Sequence, residues 1–250
     1  MSSIVISLIT FALVFGGALI GIALRSILPP NNLTADSRDV VKLGMGMVAT
    51  MAALVLGLLI ASTKSSFDMQ NTELTEMSSK VVLLDRILAH YGPEAKEARD
   101  ELRSSVVRAL NMVSSKDSAT SSQIESSGNS EALYDKIQNL SPKDDVQRSI
   151  QAQASSTLLA LGQTRWLMAE QRVNSVSSPL LIVLLFWLTI IFTSFGLFAP
   201  RNATVVVSLL VSALSVSGAV FLILEMYSPY AGLIHVSSAP LRTALAHLSK

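Results

Sequence analysis

The sequence predicts an all-α integral membrane protein, with four transmembrane helices in two hairpins and a helical extramembrane domain between them. Composition is the first observation behind this reading. Half of the 250 residues are hydrophobic and only 15% are charged, against about 25% charged in soluble domains. The second is clustering: charge-free stretches run over 1–24, 43–63, 173–200 and 202–224. Each reaches the roughly 20 residues that a helix needs to cross about 30 Å of hydrocarbon. Four such runs in so short a chain leave too little polar surface to cover them in water. The boundaries that follow are 1–63 for the first hairpin, 64–172 for the extramembrane helical domain, 173–225 for the second hairpin and 226–250 for an amphipathic C-terminal tail.

The first run lacks a basic leader, is longer than a signal-peptide core, and meets Leu24-Arg25-Ser26 where a small-residue cleavage site would be needed, so it reads as a retained span. Gly17 and Gly21 lie one turn apart and let another helix come close, within a subunit or between subunits. Pro29-Pro30 and Asn31-Asn32 stop the helix and turn the chain. In the second span Ala49, Ala53, Gly57 and Ala61 put small side chains on one face, again suited to close helix packing. Nothing breaks a helix between Leu58 and Tyr91. Phe67, Leu74, Val81 and Leu88 repeat every seven residues beside Met77, Leu84 and Tyr91. The second span therefore continues as one rod of about 70 Å at 1.5 Å per residue.

Gly92-Pro93 ends the rod and starts a helix whose Ala95, Ala98, Leu102, Val106 and Ala109 form one stripe. The serine-rich 114–130 has no period and predicts a mobile loop. Ser141-Pro142 opens a further helix through Val146, Ile150, Leu158 and Leu161, with Trp166 either anchoring at the membrane interface or packing on neighbouring helices. The third and fourth spans meet at Ala199-Pro200-Arg201-Asn202. Pro200 cannot continue the helix it follows, Arg201 stays hydrated at the membrane surface, and Asn202 can cap the next helix. Thr204, Ser208, Ser212, Ser215 and Ala219 then share a face whose hydroxyls can bond to helix carbonyls or touch water.

No ionisable residue lies inside a span, which argues against proton pumps, ion-coupled carriers and intramembrane hydrolases, since these need such groups at membrane depth. His90, His235 and His247 are far apart in sequence, no nucleophile elbow or phosphate-binding glycine loop occurs, and cysteine is absent. We therefore expect neither an enzyme nor a cofactor or metal site. A net charge of +1 predicts no nucleic-acid partner.

The stretches "KLGMGMVATMAALVLGLLIASTKSSFD", "AHYGPEAKEARDELR", "LGQTRWLMAEQ", "FWLTIIFTSFGLFAPRNATVV" and "LSVSGAVFLILEMYSPYAGLIHVSSAPLR" resemble the bestrophin-like family of four-span bacterial membrane proteins. That family is distantly similar to bestrophins, which are pentameric ion channels with a hydrophobic neck lined by the second span. The resemblance of "LVLGL" to the neck implies that Thr50, Leu54 and Leu58 face a pore. It also matches Glu225, Pro229, Tyr230 and Gly232 to the turn after the fourth span, while the following "LIHVSS" lacks the hard oxygen ligands of a calcium site.

Basic residues stand at both ends of the spans, with Arg25, Arg38, Lys42 and Arg201 opposed by Lys64, Lys80, Arg165, Arg172 and Arg242. The resemblance places the middle region and both termini in the cytoplasm of a multi-pass protein of the bacterial inner membrane. The implied partners are the lipid bilayer, further copies of the chain, five in all if it follows the bestrophins, and small inorganic ions. A membrane scaffold or signalling subunit, binding a partner protein through its helical domain, is the alternative that the heptads and the serine-rich loop support.

Overall fold

A computed structural model describes residues 2–29, 34–114, 128–173, 178–200, 202–227 and 236–248. Every regular element among them is helical: α1 (Ser3–Ile27), α2 (Ala35–Tyr91), α3 (Lys96–Ser114), α4 (Gly128–Gln138), α5 (Asp145–Val173), α6 (Ser178–Phe198), α7 (Ala203–Met226) and α8 (Ala239–Leu248), with one 3₁₀ turn at Pro93–Ala95. The protein is all-α, and α1, α2, α6 and α7 are long and apolar enough to cross a membrane. α2 is one unbroken helix of 57 residues, about 86 Å long at 1.5 Å per residue.

The chain divides into two compact units, one of residues 1–66 and 175–228, the other of 67–174 and 229–250. In the first unit α1 packs most closely on α6 and then on α7. The tightest crossing therefore joins α1 to a helix more than 150 residues further along the chain. Its core is Val14 and Ala18 of α1, Leu184, Leu188 and Phe192 of α6, and Ala213 and Ile223 of α7, with Ala52 and Leu59 from α2. Hydroxyls in these helices fold back onto their own backbones: Thr10 donates to Ile6 O at 2.9 Å and Thr193 to Thr189 O at 2.7 Å. Such bonds remove the cost of an unmet polar group in hydrocarbon. Ser217 instead donates across to Ser7 O at 2.7 Å, tying α7 to α1.

The second unit is built around the heptad face of α2. Leu74, Val81, Leu84, Leu88 and Tyr91 are buried, with Phe67 and Met77 packed at the edge. Gly92, at φ 122°, turns the chain where a side chain would be strained. Ala98, Leu102 and Val106 of α3 then return along the same core. An Asp85 carboxylate, 4% exposed, takes a two-pronged hydrogen bond from Arg99, at 2.7 and 3.1 Å, and so fixes α3 on α2.

The structure extends the sequence reading at several places. Residues 128–130 of the expected serine-rich loop form the first turn of α4, which brings Leu133 and Ile137 into the core. Residues 115–127 lie outside the described set. α5 begins at Asp145 rather than at Ser141-Pro142, because Asp144 is its cap and accepts from Gln147 N at 2.7 Å. Within the tail, α8 buries Leu241, Ala244 and Leu248 in the second unit. Trp166 is 70% exposed.

Candidate functional site

Between residues 45 and 63 α2 turns one side to the core of the first unit, with Ala52, Leu59 and Thr63 buried. Ala52 and Leu59 belong to the core shared with α1, α6 and α7, and Met45, Val48 and Val55 are partly buried against it. At about 100° per residue, Thr50, Leu54 and Leu58 fall on the opposite side. All three are exposed, Leu54 by 69% and Leu58 by 64%. Thr50 keeps its hydroxyl on Gly46 O at 2.9 Å, so it can line a water-accessible or an apolar space without an orphaned donor. Val40, Leu43 and Met47 continue the same exposed face toward the start of the helix.

Beside this face run Ala49, Ala53, Gly57 and Ala61. Ala49 is partly buried and the other three are exposed. A Cβ added at Gly57 would meet nothing within 4 Å. Among the described residues of one subunit, therefore, this small-residue stripe has no close partner along Ala53, Gly57 and Ala61. Gly17 and Gly21 differ from it, being buried in the crossing of α1 with α6. A Cβ at Gly17 would lie 2.9 Å from Thr193 Oγ1, and one at Gly21 would land on the Thr193 carbonyl and 2.8 Å from Leu197 N. Gly196, which shows no period in the sequence, completes the crossing from the other side, because a Cβ there would strike the carbonyl of Ala18.

Pro200 follows the end of α6, and Asn202 caps α7 by accepting from Val205 N at 2.9 Å. Arg201 lies outside the described residues. Two other arginines were missed as functional groups of this turn. Arg25 of α1 donates to Ala199 O and Arg38 of α2 to Phe198 O at 3.3 Å. They satisfy carbonyls left open at the C-terminus of α6 and place positive charge at the negative end of its dipole. The available signal was the pair of arginines flanking the first connection.

Glu225 is 4% exposed near the end of α7 and has an interaction partner, while Pro229, Tyr230 and Gly232 lie outside the described residues. On α7, Thr204, Ser208, Ser212 and Ser215 are exposed and Ala219 is half-buried; Ser215 bonds to Val211 O at 2.9 Å. Among the described residues no three His, Asp or Glu side chains gather as metal ligands.

In the second unit, Glu101 of α3 is held by Arg108 at 2.8 Å and by Lys136 of α4 at 3.4 Å. The hydrogen bond from Arg108 is the largest influence on its carboxyl; burial opposes it, the bond from Lys136 and the two positive charges add to it, and the net effect holds the carboxyl below the usual range. Asn71, Thr72, Thr75, Glu76, Ser79 and Lys80 line a shallow open groove of about 390 Å³ on α2.

Among curated proteins and solved structures none matches the chain. The Bestrophin-like domain matches residues 12–241, and this protein, with four membrane-length helices within or overlapping that span, belongs to the bestrophin-like family.

Proposed function

We propose that copies of this chain assemble around their α2 helices into an ion channel, with Thr50, Leu54 and Leu58 as its hydrophobic neck. The observation that carries the reading is the exposure of these residues on the side of α2 turned away from its own subunit's core. Small residues at Ala53, Gly57 and Ala61 flank that face and leave room for a neighbouring copy. Rings of leucine around an axis stop ions by dewetting and need no charge. Residues 43–63 carry none. The permeant species is a small inorganic ion, the channel sits in the inner membrane with its helical domain and termini in the cytoplasm, and no reaction is catalysed.

Reconstitution in liposomes tests the proposal. Replacing Leu54 and Leu58 with alanine widens the constriction and raises ion flux, whereas phenylalanine at both positions lowers it, provided that each variant elutes as the parent assembly. Equal flux in assembled alanine and phenylalanine variants, or none in parent and variants alike, refutes the neck and favours a scaffold whose helical domain binds a partner.

A further inference from the structure

We propose that Asp36 gives this pathway a preference for cations, as a ring of carboxylates at its mouth beside the first connection. The inference rests on the channel reading above and adds to it the residue that discriminates between ions by charge. Asp36 stands in the first turn of α2, within the same compact unit as the candidate neck. Leu54 follows it by five whole turns at about 3.6 residues each, so the two share one line along the helix, about 27 Å apart. Between them Val40, Leu43, Met47 and Thr50 stay within about 40° of that line, as does Leu58 beyond, and all five are exposed. None of the five carries a charge. An ion moving along this face from its mouth to the neck therefore meets one ionised group, at the start.

The other described charges of the first unit are engaged elsewhere. Arg25 and Arg38 donate to Ala199 O and Phe198 O, the open carbonyls that end α6. Arg38 stands about 200° round the helix from Asp36, on the far side from the exposed line. Asp39 lies about 60° from that line and 3.9 Å from Lys42, which offsets its charge. Lys64, about 80° off the line past the neck, has an interaction partner, and so has Glu225, which is buried in α7. Arg201 lies outside the described residues. Asp36 is exposed and has no ion pair or side-chain hydrogen bond among the described residues. A carboxylate in the first turn of a helix also complements the helix dipole, and that role alone predicts no effect on ion selectivity. Repeated around an axis, the same residue makes an acidic ring of the kind that cation channels use, concentrating cations at the mouth and repelling anions.

The test is the cation-to-anion permeability ratio of the full-length parent, Asp36→Glu, Asp36→Asn and Asp36→Lys in planar bilayers or liposomes, measured at 0.1 M and at 1 M salt. The parent and Asp36→Glu favour cations. Asp36→Asn lowers the ratio, and Asp36→Lys lowers it by on the order of tenfold at 0.1 M salt, with a much smaller change at 1 M, where the screening length falls to about 3 Å. The chain has no cysteine, so Asp36→Cys carries a single thiol. An anionic thiol reagent on it restores the parent's preference, and a cationic reagent of similar size lowers the ratio further. These labelled forms and Asp36→Asn serve if Asp36→Lys fails to assemble. A conducting parent that favours anions, or whose ratio is the same in Asp36→Asn and Asp36→Lys, overturns the role of Asp36 and leaves the channel standing. A parent that conducts nothing overturns both.

Discussion

Adding one methyl group at Gly21 is expected to unseat the first unit. The new Cβ would lie 2.8 Å from Leu197 N and closer still to the Thr193 carbonyl, whereas ordinary contacts of a Cβ begin at 3.4 Å. Both obstacles are backbone and the carbonyl is the nearer, so α6 must recede from α1 by on the order of 1 Å. A gap of 0.5–1 Å forfeits roughly a quarter to a half of each contact across a crossing, and α1 with α6 is the closest one in the unit. Overpacking of this sort costs about 1–3 kcal/mol or more, and alanine returns up to about 1 kcal/mol through its helix propensity. The net expectation is a loss of about 2 kcal/mol for Gly21→Ala and a similar loss for Gly196→Ala, whose Cβ meets the Ala18 carbonyl. The double variant loses less than the sum, because one separation relieves both clashes. Gly17→Ala is milder, since its nearest obstacle is a Thr193 hydroxyl, and Gly16→Ala, with nothing within 4 Å, is neutral or stabilising. Titration of detergent-solubilised protein with SDS, followed by helicity and by protease resistance, ranks the four. Equal midpoints for Gly16→Ala, Gly21→Ala and Gly196→Ala would refute the proposed crossing.

Two expectations concern the second unit. Arg99→Leu strands the Asp85 carboxylate, 4% exposed, and costs about 3 kcal/mol, whereas Asp85→Leu costs less because the Arg99 side chain is 32% exposed and can hydrate; limited proteolysis and thermal unfolding of the two variants should show that order, and the reverse order contradicts it. Glu101 has a folded pKa below its ordinary 4.5, so its ion pairs contribute stability in full above that value and lose it as pH falls through the lower, folded value. Glu101→Gln should therefore flatten the acid limb of a stability–pH curve below about pH 4.5, and an unchanged acid limb contradicts the assignment.

Much of the fold was legible because single residues declare it. Lys42, Lys64, Arg172 and Arg201 bound the apolar runs, and Phe67, Leu74, Val81 and Leu88 carry the second span beyond the membrane as one helix. Partners were less legible than elements. Gly17 and Gly21 announce a close approach, but nothing beside Gly196 says that it receives α1, since a contact across some 175–180 residues leaves no local period. α4 did leave a signal, Leu133 and Ile137 four residues apart, which the neighbouring serines obscured. Leu241, Ala244 and Leu248 mark α8 as amphipathic without naming the core that covers them. The candidate neck was reached through a family resemblance to a leucine-glycine stretch, and periodicity alone does not separate a face toward lipid from a face toward an axis. Exposure of Leu54 and Leu58 in one subunit is common to both.

Chemical modification separates those two faces. The chain has no cysteine, so Leu54→Cys introduces a single thiol, and Ile20→Cys places another on α1 at a position 63% exposed in the subunit. The measurement is ion flux from liposomes before and after a small thiol-reactive reagent, with modification confirmed by mass. A shared axis lined by α2 predicts that flux through Leu54→Cys falls irreversibly while Ile20→Cys is unaffected. Undiminished flux through fully modified Leu54→Cys, or equal loss at both positions, would contradict a pathway lined by this face.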